Sequence, residues 1–90
     1  MKIIITQRFK RSFQKLSENE QLSFQKKLSL LLQNPIAPFY PSLRIKKIQG
    51  TSNIFECSIN RDIRMTWQYC QTDSILLRNI GKHDQTLKTP

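Results

Sequence analysis

Residues 54–84 read IFECSINRDIRMTWQYCQTDSILLRNIGKHD. Apolar and polar side chains alternate through three parts of this stretch, and this period of two is typical of strands with one buried face. Short polar segments separate the three parts, and their residue types favour turns. The stretch therefore predicts a three-stranded antiparallel meander, with strands over Ile54–Ile59, Ile63–Tyr69 and Ser74–Ile80 and turns over Asn60–Asp62 and Gln71–Asp73.

Ahead of the meander, the sequence predicts a strand followed by a helix. Ile3–Ile5 is β-branched and is typical of a short buried strand, and Thr6 can cap the helix that follows it. Phe9, Phe13 and Leu16 fall at helical spacing, so they form one apolar side of this first helix.

A second helix is predicted from a capping box. In Ser17-Glu18-Asn19-Glu20, the Ser17 hydroxyl can accept from the backbone of Glu20 while the Glu20 side chain reaches back. An apolar stripe beginning at Phe24 follows, and Asn34-Pro35 favours the end of the helix. Because one or two residues join the helices, we expect an antiparallel hairpin, and then an extended proline-rich connector over residues 34–43.

Together these segments predict an α+β fold with the order β-α-α-β-β-β. The helix hairpin packs on one face of an antiparallel sheet and buries Phe9, Phe24, Met65 and Trp67. Residues 1–90 form a single small domain in this interpretation. The other face of the sheet is expected to be uncovered and polar, with the side chains of Glu56, Ser58, Arg64, Thr66, Gln68 and Arg78.

Charge and composition bound the partners and the location. The chain has 15 Lys and Arg against 6 Asp and Glu, a net charge of +9. Such a surface favours polyanions, with nucleic acid first and acidic lipid or an acidic protein next. The longest apolar runs have three residues, too short to span a membrane, and no secretory signal is visible, so we expect a cytoplasmic protein without a membrane partner. Cys57 and Cys70 are then expected to be free thiols.

Several kinds of chemistry have no motif in this sequence. The carboxylates show no metal-ligand spacing around the one histidine, and the two glycines, Gly50 and Gly81, do not form a phosphate-binding loop. No serine-hydrolase motif is present either. We therefore expect neither a metal ion nor a small-molecule cofactor.

Arginine, lysine and a lone histidine suit the metal-independent cleavage of RNA, which carries its own 2′-hydroxyl nucleophile. His83 could exchange the protons, although it could also be an exposed tail residue. Arg64 must point to the polar face, where it could clamp a phosphate or simply be solvated. Lys46 and Lys47 could bind backbone phosphates or only water, and Asp62 could be an acid or base or an ordinary turn former.

Three segments resemble the RelE/ParE toxin superfamily: Phe55–Ile59, Asp62–Trp67 and Leu76–Asp84. The similarity is greatest to the YafQ-like and RelE-like mRNA interferases. This resemblance implies the toxin of a type II toxin–antitoxin system, inhibited by a cognate acidic antitoxin. It also implies that the protein cuts mRNA in the ribosomal A site.

By position, the resemblance implies a catalytic role for three residues. His83 matches a tail histidine that transfers protons, Asp62 a carboxylate at the hairpin, and Arg64 an arginine on the scissile phosphate. The expected phosphate-binding residues are Lys46, Lys47, Arg61, Arg78 and Lys82. The sequence departs from the pattern at Phe55 and Cys57, where RelE has lysines, at Ser58, where YafQ-like members have a second histidine, and at Leu87, which replaces a terminal aromatic.

Two other functions are compatible with the same resemblance. A ParE-like protein of this fold would inhibit DNA gyrase and cleave nothing, and a non-catalytic domain would bind RNA without a product. The segment Gly81-Lys82-His83-Asp84 favours the nuclease, because neither alternative needs a titratable group there.

Overall fold

The computed structural model describes residues 1–36, 38–51, 53–71 and 73–90. Part of the predicted turn over Gln71–Asp73 and one residue of the proline-rich connector lie outside the described residues. The elements in chain order are β1 (Lys2–Ile5), α1 (Gln7–Gln14), α2 (Glu18–Gln33), a 3₁₀ turn (Pro41–Leu43), β2 (Lys46–Lys47), β3 (Ile54–Ser58), β4 (Ile63–Cys70), β5 (Ser74–Lys82) and α3 (His83–Lys88).

The five strands form one sheet in the order β1-β5-β4-β3-β2. The predicted meander is confirmed, because β3, β4 and β5 pair antiparallel in sequence order. At one edge β1 pairs parallel with β5, and at the other edge the two residues of β2 pair antiparallel with β3. The α+β fold class is confirmed, with β2 and α3 added to the expected order of elements.

Side-chain caps begin both helices of the hairpin, as the sequence predicts. The Thr6 hydroxyl accepts from the Phe9 backbone N–H at 3.0 Å and donates to the Leu77 carbonyl at 2.9 Å, which ties α1 to β5. Ser17 and Glu20 form the full capping box, with bonds of 3.1 and 2.8 Å. These contacts satisfy backbone donors that the first helical turn leaves unpaired.

The core lies between the helix hairpin and one face of the sheet. Phe9 and Phe24 are buried, with their rings 5.6 Å apart, and they face the fully buried Met65 and Trp67 of β4. Leu16 lies past the end of α1 but packs against this core. The four core residues expected from the sequence are therefore confirmed.

The expectation that Ile3–Ile5 is buried is wrong. The three isoleucines of β1 are 37 to 47% exposed. The physical reason is the position of β1 at the sheet edge, since α1 packs over the neighbouring strand β5 instead. On β5, Ile75 and Leu77 supply the buried side chains.

The face opposite the hairpin is covered in part, which corrects a second expectation. The C-terminal residues fold back over it, so that Thr66 is fully buried and donates from Oγ1 to the Pro90 carbonyl at 2.9 Å. Asn79 donates from Nδ2 to the Thr89 carbonyl at 3.3 Å. The predicted tail is a helix here, α3, whose few apolar residues give no periodic signal in the sequence.

Candidate functional site

The turn between β3 and β4 and the end of β5 build the candidate site. The Asn60 side chain accepts from the backbone N–H groups of Asp62 and Ile63, both at 2.9 Å, and this fixes the path of the turn. The His83 backbone N–H donates to the Asp62 carbonyl at 3.0 Å. These bonds hold the first residue of α3 against the turn.

A surface pocket of about 540 Å³ lies at this junction. We call it the His83 pocket, and its lining residues are Glu20, Arg61, Asp62, Lys82, His83, Asp84 and Gln85. The His83 side chain is half exposed, and its Nδ1 lies 3.1 Å from Asp84 Oδ1. A neutral imidazole that donates this hydrogen bond from Nδ1 carries its lone pair on Nε2, where it can accept a proton.

The charges of the His83 pocket are mixed. The cations Arg61 and Lys82 share the lining with three carboxylates, those of Glu20, Asp62 and Asp84. With a neutral imidazole, the acidic charges slightly outnumber the basic ones. The pocket therefore brings together groups that transfer protons, but it is not by itself a strongly positive surface.

Arg64 lies on the other side of the same turn. It pairs with Ser58 and Gly81 across the sheet, and its Nη1 donates to the carbonyls of Asn60, Arg61 and Ile63 at 2.9, 3.1 and 3.2 Å. Its Nε and Nη2 have no hydrogen-bond partner among the described residues. The guanidinium is thus anchored at one nitrogen and can still bind an anion through the others.

Lys46 and Lys47 are not brought to the His83 pocket. Both lie on β2 at the sheet edge, and two strands, β3 and β4, separate them from β5. As consecutive residues of a strand, they point to opposite faces of the sheet.

Arg78 is also distant from the His83 pocket. It lies at the β-bulge where Thr66 and Trp67 pair with Asn79 and Leu77. Its guanidinium donates to Gln68 and to the Pro90 carbonyl, the latter at 3.2 Å. Along β5, Arg78 lies four residues before Lys82, which lines the His83 pocket, so these two positions are about 13 Å apart.

Phe55 and Cys57, which the resemblance aligns with lysines, point into the core. Phe55 stacks on Trp67 with ring centroids 6.0 Å apart, and Cys57 is 1% exposed. Burial raises the pKa of the Cys57 thiol to about 12, so it is not a nucleophile at neutral pH. Glu56 and Ser58 point to the opposite face of the sheet.

Sequence reasoning missed the contribution of the helix hairpin and the connector to this end of the molecule. Glu20 of the capping box reaches the His83 pocket, and Lys27 and Arg44 lie near Arg64. The sequence shows Glu20 only as a local cap and Lys27 only as a polar helix position. No local pattern indicates where the start of α2 meets the end of β5.

Among the described residues, no three side chains of His, Cys, Asp or Glu lie close enough to share a metal ion. Nor does that part of the chain contain a helix of sufficient length and hydropathy to cross a membrane.

Comparison with known proteins gives matches among solved structures. No family model matches the chain. No curated protein matches it either. A YafQ mutant from Escherichia coli superposes with a TM-score of 0.77 at 10% identity, covering 93% of this chain and 94% of that one.

Two further structures extend the same result. A YoeB/ParE toxin from Agrobacterium tumefaciens has a TM-score of 0.77 at 11% identity, with 92% and 99% coverage. A chain of the Escherichia coli RelBE toxin–antitoxin complex has a TM-score of 0.72 at 17% identity, with 91% and 95% coverage. This chain therefore has the fold of the RelE/ParE toxins, the fold that the sequence resemblance implied.

Proposed function

We propose that residues 1–90 form the toxin of a type II toxin–antitoxin system, and that this toxin cleaves mRNA in the ribosomal A site in the cytoplasm. The observation that carries the proposal is the His83 pocket, where a half-exposed imidazole shares one cavity with Arg61, Lys82 and Asp62. The RelE/ParE fold supports it, because neighbours with this fold are toxins by name.

The reaction needs no group beyond the protein and the RNA. A base removes the 2′-hydroxyl proton, and the 2′-oxygen forms a bond to the adjacent phosphorus. The bond from phosphorus to the 5′-oxygen breaks, and an acid protonates that leaving oxygen. The products are a 2′,3′-cyclic phosphate and a free 5′-hydroxyl, and no metal ion takes part.

The side chains divide this work by their chemistry. His83 and Asp62 are the proton-transfer pair, since they line the same pocket. Arg61 and Lys82 stabilise the negative charge that develops on the phosphorane. Arg64, on the other side of the turn, binds the RNA backbone through the nitrogens that the turn leaves free. Lys46, Lys47 and Arg78, which lie elsewhere, have at most an indirect part through more distant phosphates.

The partner that inhibits the toxin is proposed to be an acidic antitoxin. The net charge of +9 favours an acidic partner by complementarity. The RelE chain of similar fold was solved in complex with its antitoxin, RelB.

The direct test uses programmed ribosomes carrying mRNA, with cleavage mapped by primer extension and the new 3′ end analysed for a cyclic phosphate. We expect A-site cuts whose new 3′ ends carry a 2′,3′-cyclic phosphate, and a loss of at least about 100-fold in rate for His83→Ala. Lys88→Gln, on the same helix but outside the His83 pocket, is the matched control and should cleave normally. Intact mRNA at every concentration, or full activity of His83→Ala, would overturn the proposal.

Ser58 favours the two alternative functions, gyrase inhibition and non-catalytic RNA binding, because it leaves this turn without the second imidazole of the YafQ-like pattern. A gyrase supercoiling assay with the same preparation distinguishes a gyrase inhibitor from the nuclease. Inhibition of supercoiling without mRNA cleavage would assign the protein to the ParE-like group. Salt-sensitive RNA binding without cleavage or gyrase inhibition would assign it to non-catalytic RNA binding.

A further inference from the structure

A second pocket of about 440 Å³ lies beside the β3–β4 turn, on the side away from His83. We call it the basic pocket. Its charged lining residues are Lys27, Arg44, Arg61 and Arg64, and no described carboxylate lines it. Ser42, Ser58, Ile59 and Asn60 complete the lining.

Four different parts of the fold supply the four cations. Lys27 projects from α2 and donates from Nζ to the Ser42 carbonyl at 3.5 Å. Arg44 follows the 3₁₀ turn, Arg61 lies at the tip of the β3–β4 turn, and Arg64 lies on β4. The cluster is therefore a product of the tertiary fold and not of a basic run in the sequence.

Bringing these like charges together has an electrostatic cost, which the carbonyl groups bonded to Lys27 and Arg64 offset in part. Lys27 and Arg64 both act on the Cys57 thiol through their charge, which places them close to the same part of β3. Glu56 of β3 acts on that thiol in the opposite sense, but its carboxylate does not line the pocket. Like charges at short range disfavour the folded state unless an anion or a carboxylate neutralises them. Among the described lining residues no carboxylate does so, whereas the His83 pocket contains three. A bound anion would supply this negative charge.

We propose that the basic pocket binds a backbone phosphate of the RNA, next to the phosphate that is cut in the His83 pocket. Arg61 lines both pockets, so one continuous RNA strand can pass from the His83 pocket to the basic pocket over the tip of the turn. The inference rests on the proposed function, because it takes the same RNA strand as the ligand.

A nucleic-acid backbone fits the basic pocket better than an acidic peptide does. Three of its four cations are arginines, whose planar guanidinium groups bind phosphate oxygens in pairs. The arginine shared with the His83 pocket matches a ligand that continues as one chain from the basic pocket to the site of cleavage. An acidic peptide would need carboxylates in both pockets.

The test measures binding of a short 2′-O-methyl RNA, which cannot be cleaved, by fluorescence anisotropy over a range of salt concentrations. The variant is Lys27→Gln combined with Arg44→Asn. Arg44 has a left-handed backbone conformation with φ of 50° and ψ of 50°, which asparagine tolerates well. The charge is therefore removed without added backbone strain. Lys10→Gln combined with Lys26→Gln removes two exposed cations outside both pockets and is the matched control.

We expect the slope of log K against log salt to become shallower by about 0.7 in the Lys27/Arg44 variant, the value for one lost phosphate contact on a single strand. The control should keep most of the wild-type slope, and both variants should unfold at or above the wild-type temperature, because each removes two positive charges. In the ribosome assay, the Lys27/Arg44 variant should raise KM and leave kcat close to the wild-type value. An unchanged slope, or no RNA binding by the wild-type protein, would overturn the proposal.

The outcomes separate this inference from the proposed function. Binding is measured without cleavage, so a shallower slope with no mRNA cleavage supports the basic pocket and contradicts the nuclease. Normal mRNA cleavage with an unchanged salt slope supports the nuclease and contradicts the basic pocket as a phosphate site. If the Lys27/Arg44 variant loses binding of poly-glutamate while its RNA slope is unchanged, the pocket takes an acidic protein and the phosphate proposal is wrong.

Discussion

At the scale of single residues, Cys57 shows how burial controls chemistry. Its thiol lies against the core face of β3, where the loss of hydration raises its pKa from 9.0 to about 12. The thiol of an unfolded chain ionises near its ordinary pKa. Between these two values the unfolded state releases a proton that the folded state keeps, so stability is complete below about pH 9 and decreases as the pH rises toward 12.

Cys57→Ala should therefore change the pH dependence of stability as well as its size. The variant loses stability at pH 7 because it leaves a cavity, but it lacks the titrating thiol. We expect the free energies of unfolding of wild type and variant, measured by urea titration, to converge between pH 9 and 11. The difference between the two free energies of unfolding can decrease by about 1.4 kcal/mol per pH unit, the value for one proton. Parallel curves would contradict the raised pKa.

Thiol labelling at pH 8 gives an independent check. A disulfide reagent should modify the partly exposed Cys70 in the folded protein and reach Cys57 only on unfolding. In Cys70→Ser, rapid labelling should disappear.

Tyr69 acts in the same direction as Cys57 on stability at alkaline pH, since burial also raises the pKa of its phenol. This is why the comparison with Cys57→Ala, and not the wild-type curve alone, is informative.

Alternation along the strands predicts which way Cys57, Met65 and Trp67 point, and the structure agrees. The same rule places Arg64 outside the core. It does not predict that the turn carbonyls bind the Arg64 guanidinium, or that Glu20 and Lys27 come from α2 to complete the two pockets. Those contacts depend on how a helix packs on a sheet, which no local pattern specifies.

At the scale of elements, the caps connect sequence to structure most directly. Ser17 begins α2 through its bond to the Glu20 N–H. We expect Ser17→Ala to lower the free energy of unfolding by about 1 kcal/mol, because an orphan helix donor loses its partner. Ser29→Ala, at an exposed interior position of α2, is the control, and it should be neutral or slightly stabilising because alanine favours helix. Thermal or urea unfolding measures both, and equal effects of the two changes would contradict the assigned role of the cap.

Gly81 controls how α3 docks on the sheet. A Cβ built at this position would lie 3.0 Å from Oγ1 of the buried Thr86. Gly81→Ala should therefore push α3 away and increase hydrogen exchange over residues 83–88, with a loss of about 1 kcal/mol or more in stability. Because the clash is with one side-chain atom, adding Thr86→Ala should recover part of the loss. If Gly81→Ala exchanges like wild type, close packing of α3 is not what requires glycine here.

Elements with a strong local signal could be predicted, and the others could not. The hairpin and the meander carry caps, periodicity and turn residues. Strand β2 has only Lys46 and Lys47, which is too short for any alternation to be visible. Helix α3 is held by polar contacts from Thr66, Asn79 and Arg78 to the last residues, and these leave no apolar stripe. For Ile3–Ile5 the composition indicated a strand correctly, but it carried no information on whether that strand lies at the edge.

At the scale of the whole molecule, the net charge of +9 opposes folding through self-repulsion. The basic pocket concentrates part of this repulsion near one turn. Salt screens such charges over a Debye length of about 10 Å at 0.1 M, so it should stabilise the fold even without a specific ligand. A polyanion that binds only the folded state adds to this effect by mass action.

We therefore expect the unfolding temperature of the isolated protein to rise between 10 and 200 mM KCl, and to rise further when the 2′-O-methyl RNA is added at constant low salt. At a concentration about 100 times its dissociation constant, RNA should contribute about 2.7 kcal/mol.

The Lys10→Gln/Lys26→Gln control, with two fewer positive charges, should show a smaller response to salt and a similar response to RNA, because the two lysines lie outside both pockets. The Lys27→Gln/Arg44→Asn variant should show a smaller response to salt and should also lose much of the response to RNA. Differential scanning fluorimetry distinguishes these cases, and an unfolding temperature that falls with salt would mean that attraction between charges, and not repulsion, dominates this molecule.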